Sequence, residues 1–364
     1  MRVVVIGGGF GGMAAIKTIY KAFPADDKSA MPEIILIDKH DHSTMLPSLP
    51  DIAGMRIEPE FAIGKYSETA PNGVKIIKAC VEMVDFQTKS VVTEKETYVY
   101  DYLVFASGSV ANFYNNTPEF IVKCHKLDTL EDALKLKDGF TTEISNFDTV
   151  NVVISGGGFT GLELATNLYH RAKYAKKKVN IYMIELCDRI LPMLGEKRSK
   201  YVTNKMKALG IEFLTSESVV SFEERKVTLK SGKIIDNTFF CWCSGVKMGL
   251  KAIGSHTVKD EKLSTKERTM YLRRAVNFAY MQGKIAGKNI LASLKVKEYK
   301  PYKMVDLGWV IPLYTTSIGE AFGKKIQGRK GIAMHYIICG VKNYSFKNLY
   351  NYCKFAIIFM FTKE

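Results

Sequence analysis

A strand, a glycine-rich turn and a helix follow one another twice in this chain, and few folds accommodate that pair. The first copy opens the sequence. Met1-Arg-Val-Val-Val-Ile6 is a short apolar, β-branched run, Gly7-Gly8-Gly9-Phe10-Gly11-Gly12 follows, and Met13-Ala14-Ala15-Ile16 begins a helical pattern. Gly7, Gly9 and Gly12 fit G-x-G-x-x-G in the strand–turn–helix setting where that spacing carries meaning. There the first glycine allows the tight turn and the second lets backbone N–H groups approach a pyrophosphate. The third lets the helix pack closely on the strand, and the helix N-terminus faces the anion. A second strand, Glu33-Ile-Ile-Leu-Ile-Asp38, ends in an acid 26 residues beyond Gly12 (38 − 12), where a ribose hydroxyl pair is normally held.

The second copy begins at Val150-Asn-Val-Val-Ile-Ser155. Gly156, Gly158 and Gly161 repeat the spacing, Leu162-Glu-Leu-Ala165 opens the helix, and Val179-Asn-Ile-Tyr-Met-Ile-Glu185 ends in another acid, 24 residues past Gly161 (185 − 161). One glycine-rich turn alone is weak evidence. Two complete copies predict two nested Rossmann-like folds of the α/β class and two bound dinucleotides.

Composition narrows the class further. The chain has 364 residues, room for two domains with full cores, and is 47% hydrophobic and 24% charged, as a globular protein is. Its seven cysteines are scattered, with no C-x-x-C, which argues against a zinc site or a disulfide framework and for a reducing interior. The sequence opens directly on a strand, so no signal peptide is expected. No apolar run approaches the roughly 20 residues of a spanning helix. The net charge of +15 resides partly in Arg171, Lys173, Lys176, Lys177 and Lys178, and partly in the last forty residues, where lysines alternate with aromatics. That mixture suits a membrane surface rather than nucleic acid, for which no motif is present. Phe346 to Phe361 reads as an amphipathic helix in the membrane interface; the alternative is a helix docked on the protein's own surface.

Between these landmarks, residues 74–84 read as one strand. Tyr102 to Ser109 is a buried strand ending in small residues, and Thr238 to Gly245 repeats that ending. Leu127 to Leu136 is helical with Asp128 or Thr129 as cap, Lys200 to Leu209 is an amphipathic helix stopped by Gly210, and Arg273 to Leu294 is one long helix rich in alanine and glycine. Residues 304–338 form a small mixed segment.

In wording as well as spacing, the chain resembles the two-dinucleotide flavoproteins and, within them, the type II NADH:quinone oxidoreductases. The resemblance rests on Val5–Met13, on Leu46-Pro-Ser-Leu-Pro-Asp-Ile-Ala-Gly54, on Tyr102–Ser109 with Ser107 where threonine is usual, and on Leu127–Leu136. It continues through Gly156–Ala165 and Arg189-Ile-Leu-Pro192, and covers most of the chain. It implies FAD on Gly7, Gly9 and Gly12, with Asp38 on its ribose, Lys39 beside it, the Val81 backbone near its adenine, and Pro47, Ser107 and Gly108 facing the isoalloxazine. NADH would lie on Gly156, Gly158 and Gly161 with Glu185 on its adenosine ribose, and Gly245 closes the corresponding strand end. An acid at Glu185 repels a 2′-phosphate and favours NADH over NADPH. Glu163 serves proton or quinone traffic near the flavin, or merely satisfies the helix dipole.

The implied activity is oxidation of NADH with two-electron transfer through FAD to a membrane quinone, without proton pumping, at the cytoplasmic side of the cell membrane. The implied layout is a first FAD-binding part at 1–112, an NADH-binding domain at 113–250, a shortened second FAD-binding part at 251–320 and a membrane-surface segment at 321–364. A homodimer is allowed but not indicated. Two departures stand out. The family's Gly-Asp pair ahead of its quinone-side helix is missing between Gly245 and Arg273, and the quinone motif reads Val276-Asn277-Phe278-Ala279-Tyr280-Met281 before Gln282. Asn277 and Gln282 are left as the quinone-contacting candidates. The alternatives are a sulfide:quinone oxidoreductase, for which Cys124 lacks a convincing partner, and a degenerate member that binds nucleotide without catalysis.

Overall fold

The computed structural model describes residues 1–24, 28–114, 116–248, 262–265, 268–271, 275–303, 305–343 and 345–361. The chain divides into two compact units: residues 1–43, 63–109 and 248–307 form one, and residues 44–62, 110–247 and 308–364 the other.

The first unit is built on a four-stranded parallel sheet in the order Lys75–Lys78, Glu33–Asp38, Arg2–Ile6, Tyr102–Phe105. Val3 to Ile6 and Ile34 to Ile37 are almost wholly buried, which is why these strands read as continuous apolar runs rather than alternating ones. The helix Phe10–Tyr20 turns Met13, Ala14, Ala15, Ile16 and Ile19 inward. It packs along the late helix Val276–Leu294 through small residues on both sides. A methyl built on Gly283 would lie 2.0 Å from the carbonyl oxygen of Gly11, and one on Gly287 would lie 2.8 Å from that of Ala15. A three-stranded antiparallel sheet, Val81–Asp85, Ser90–Thr93 and Thr97–Val99, covers part of this core. Residues 74–84 are therefore two strands, not one. The chain leaves the parallel sheet after Lys78, passes Ala79-Cys80, and enters a different sheet at Val81. A long apolar run conceals such a change of partner, since apolar residues continue through both strands.

The second unit repeats the plan, with strand order Glu212–Thr215, Lys178–Glu185, Thr149–Ser155, Thr238–Trp242, again all parallel. The helix Phe159–Tyr174 packs on it beside Leu130–Asn146, whose start is fixed by a reciprocal cap: Thr129 Oγ1 accepts from the Asp132 N–H, and the Asp132 carboxylate accepts from the Thr129 N–H. The helix read at 200–209 runs Glu196–Lys207. Residues 304–338 resolve into an antiparallel sheet, Gly308–Leu313, Thr316–Ala321 and Lys324–Gln327, followed by the helix Arg329–Lys342. The last helix is Phe346–Phe361, packed on Arg329–Lys342. Between them these two helices bury Tyr336, Tyr352 and Ala356 and leave Ile337, Ile338, Val341, Phe346, Tyr350, Ile357 and Phe361 exposed. Among the described residues, no helix is long and apolar enough to cross a membrane. The segment expected to lack a Gly-Asp pair, 246–272, lies largely outside the described residues.

Candidate functional site

Each unit carries one glycine loop, and the two are made alike. In the first, the Gly7 N–H is bonded to the Ile37 carbonyl at 2.8 Å and Gly7 sits at φ +91°, where a side chain would be strained and would strike the Ala106 carbonyl. Gly12 comes so close to the Gly7 carbonyl that it also has no room for a methyl group. Gly9 is different: nothing lies within 4 Å of the place its methyl would occupy. It caps the helix without a side-chain bond, so the free N–H groups of the first turn face an open side.

Asp38 organises that turn. Its Oδ2 accepts from the Gly8 N–H at 2.7 Å and from the Tyr66 hydroxyl at 2.9 Å, and its Oδ1 accepts from the His40 N–H at 2.9 Å. Burial, followed by the Asp38 charge, pushes the Tyr66 phenol far up, so it remains a donor. Of roughly four acceptor positions on a carboxylate, one is left on the Oδ1 side for a ribose hydroxyl. Lys39 is exposed, Val81 is the half-buried first residue of its strand, and Ser107 and Gly108 follow the Tyr102–Phe105 strand, with Gly108 at φ +69°. Asn277 and Gln282 lie on Val276–Leu294, where Asn277 Nδ2 donates to the Val305 carbonyl at 3.2 Å.

In the second unit Gly156 sits at φ +109° with its N–H on the Ile184 carbonyl at 2.8 Å, Gly161 closes on the Gly156 carbonyl, and the Gly158 side is again open. Glu185 Oε2 accepts from the Gly157 N–H at 2.7 Å and Oε1 from the Cys187 N–H at 2.9 Å, leaving two acceptor positions for a ribose hydroxyl pair. Gly245, at φ +76°, accepts the Asn112 N–H through its carbonyl at 3.1 Å. The open glycine faces and the unspent carboxylate positions fit one dinucleotide at each loop.

A buried polar cluster in the second unit was not legible beforehand. Pro47 and Pro50 start the turns Leu46–Ser48 and Leu49–Ala53, and the second of these buries Asp51, 2% exposed. Asp51 accepts from Asn167 Nδ2 at 3.3 Å and from the Tyr336 hydroxyl at 3.1 Å, with the Arg56 guanidinium 3.8 Å away. Glu163 lies beyond the first turn of its helix and is only 8% exposed, so it is not an acid balancing the helix dipole in solvent. Burial, and secondly the Asp51 charge, push its carboxyl well above the usual range. Arg56 lies between the Tyr314 and Phe359 rings, 4.4 and 4.0 Å from their centroids.

The cysteines do not make a redox pair. All seven are free, and burial pushes the Cys124 and Cys243 thiols up to about 12, which keeps them protonated. Among the described residues there is no group of His, Cys, Asp and Glu suited to a metal ion.

Comparison with known proteins agrees with this geometry. The model of the pyridine nucleotide-disulphide oxidoreductase family matches residues 1–289. The type II NADH:quinone oxidoreductase of Staphylococcus haemolyticus is 23% identical over 93% of this chain and 94% of its own. The protein of the same name from Staphylococcus saprophyticus is 24% identical, with the same coverage. Among solved structures, NDH2 from Plasmodium falciparum in complex with NADH superposes with a TM-score of 0.82 at 14% identity, covering 99% of this chain and 98% of that one. The sulfide:quinone oxidoreductase of Aquifex aeolicus gives 0.77 at 16%, covering 100% and 96%.

Proposed function

Because the chain belongs to the pyridine nucleotide-disulphide oxidoreductase family, we propose that it oxidises NADH through bound FAD and passes two electrons to a membrane quinone without pumping protons. The observation that carries this reading is the pair of matched loops. Each has an open central glycine, and each carries an acid already tied to the loop backbone with acceptor positions to spare. The similarity to the staphylococcal relatives, spread over nearly the whole chain, favours the NADH:quinone member of the family over others. The high thiols of Cys124 and Cys243 disfavour sulfide chemistry, which needs thiolates or a disulfide.

FAD, when bound, would supply the two-electron redox chemistry. The chain's own residues bind and orient. Backbone N–H groups at Gly9 and Gly158 would meet the two pyrophosphates, and Asp38 and Glu185 would hold the riboses. The carboxylate of Glu185 selects against a 2′-phosphate. Reduction of a quinone to hydroquinone by NADH consumes one proton beyond the hydride, and Glu163 is the buried acid that holds one. Asn277 and Gln282 are the quinone-contacting candidates, and Lys39, Pro47, Val81, Ser107, Gly108 and Gly245 complete the cofactor contacts.

The last two helices would lie on the membrane surface. Their exposed Ile337, Ile338, Val341, Phe346, Ile357 and Phe361 supply the apolar face, and Lys347 and Lys354 supply the charge for anionic lipid on the cytoplasmic side. The test is an absorbance spectrum of the purified protein, followed by NADH without oxygen and then a soluble quinone. A flavin spectrum that bleaches with NADH and recovers with quinone is the expected result. A colourless protein that takes up no added FAD would overturn the reading.

A further inference from the structure

The acids at the two glycine loops are tied differently, and the difference lies in the side chain that covers each loop. Glu185 takes the Gly157 N–H on Oε2 and the Cys187 N–H on Oε1, so each of its oxygens keeps a position. The side-chain donor beside it is the Cys187 thiol, a weak one. Asp38 instead takes the Gly8 N–H at 2.7 Å and the Tyr66 hydroxyl at 2.9 Å on the same oxygen, Oδ2, which fills it. The covering groups correspond in place but not in chemistry. A methyl built on Gly157 would meet Ile190 Cγ2 at 2.9 Å, whereas one on Gly8 would stand 2.4 Å from the Tyr66 Cζ and hydroxyl oxygen. Tyr66 is itself held: it is 1% exposed, and its N–H donates to the Asp41 carbonyl at 2.9 Å. Main chain and hydroxyl of one residue thus grip the same turn, 38–41.

We propose that Tyr66 is the positioning residue of the first loop: by filling Oδ2 of Asp38 it locks the carboxylate and leaves Oδ1 as the oxygen that takes the adenosine ribose of FAD. The inference rests on the reading that FAD occupies this loop. A carboxylate's terminal torsion is broad and roughly two-fold, so a single backbone bond leaves it free to swing. Donors on both oxygens, with a second one on Oδ2, remove that freedom before the ligand arrives, and an acceptor already fixed loses less entropy on binding. Burial keeps the phenol protonated, so the bond persists at physiological pH. Ile190 gives Glu185 no such lock. The second carboxylate keeps a position on each oxygen, as suits a dinucleotide that must leave in every turnover, while the first is set for one that stays.

The experiment titrates the flavin-free full chain with FAD and with the FAD analogue whose adenosine ribose lacks both hydroxyls, followed by flavin fluorescence. Wild type should prefer FAD by about tenfold or more, as a hydrogen bond to a charged group implies. Tyr66→Phe removes one oxygen and keeps the ring over Gly8. It should shrink that preference about fivefold, with the loss falling on FAD rather than on the analogue. Gly8→Ala leaves Tyr66 in place but drives its hydroxyl off Asp38, and should shrink the preference in the same way. In an Asp38→Asn chain the preference should already be small, and adding Tyr66→Phe should change it no further, because the two residues act as one. A preference kept at its wild-type value in folded Tyr66→Phe would overturn the proposal. So would equal losses for the two flavins, complete loss of both included, since these mark a purely structural side chain. A wild-type chain that takes up neither flavin would sink the FAD reading itself, and the proposal with it.

Discussion

Replacing Gly283 by alanine tests how the first glycine loop is held. Elsewhere in a helix that change stabilises by about 1 kcal/mol, because alanine loses less backbone entropy. Here the added methyl would stand 2.0 Å from the Gly11 carbonyl oxygen and 2.7 Å from its carbonyl carbon, both backbone atoms that cannot swing aside. Ordinary contact is about 3.5 Å. Relief therefore requires Val276–Leu294 to move off Phe10–Tyr20 by more than an ångström, and this loosens the Gly287–Ala15 approach one turn further on. Overpacking of this kind costs about 1–3 kcal/mol, enough to outweigh the helix gain. Urea unfolding monitored by circular dichroism should give a lower midpoint for Gly283→Ala, whereas Lys288→Ala, exposed on the same helix, should equal or exceed wild type. Because Gly11 belongs to the loop, the FAD affinity of Gly283→Ala should fall as well. A variant as stable as wild type that binds FAD unchanged would refute the close-packing argument.

Glu163→Gln should change how stability depends on pH. The folded chain keeps the Glu163 proton at pH values where the unfolded chain has released it, so wild-type stability falls as pH rises above the ordinary carboxyl pKa of about 4.3, by up to about 1.4 kcal/mol per unit, until the folded group ionises. The glutamine variant lacks that loss, and the gap between the two proteins in the same ligand state should widen with pH; parallel curves would contradict the raised carboxyl. Glu185→Gln should raise the KM for NADH about tenfold, through two weakened backbone bonds, and should improve the use of NADPH, read from steady-state kinetics with both donors; an unchanged preference would remove Glu185 from the ribose site. Lys347→Gln with Lys354→Gln should weaken binding to vesicles containing anionic lipid by about 2 kcal/mol, roughly thirtyfold. Equal binding in a sedimentation assay would detach this helix from the membrane.

The two glycine loops were legible because their demands are local. A turn at positive φ, a close carbonyl and a following helix force glycine at fixed spacing, and the strand-end acids follow at fixed distances. The helix cap was legible, for the same reason, only as far as Asp128 or Thr129, and the structure takes Thr129. Tyr66 was not, because nothing near it in sequence says that its hydroxyl will reach Asp38, 28 residues earlier. Asp51, Arg56 and Tyr336 were hidden in the same way: each is an ordinary polar residue in a proline-rich or helical context until tertiary packing buries them together. The break at Ala79-Cys80 escaped because apolar runs do not record which sheet they join.

The packing of Val276–Leu294 on Phe10–Tyr20 also sets an order of events during synthesis. The parallel sheet of the second unit uses strands that lie between residues 149 and 242, with short separations between most partners, and loops of that length close readily. The first glycine loop leaves the ribosome well before the helix that clamps it, which arrives only after Val276. For most of translation, then, the opening strand and helix wait with an apolar flank uncovered while the later sheet assembles. Nascent chains stopped before residue 276 should show the later sheet protected from protease and the first helix still open to it.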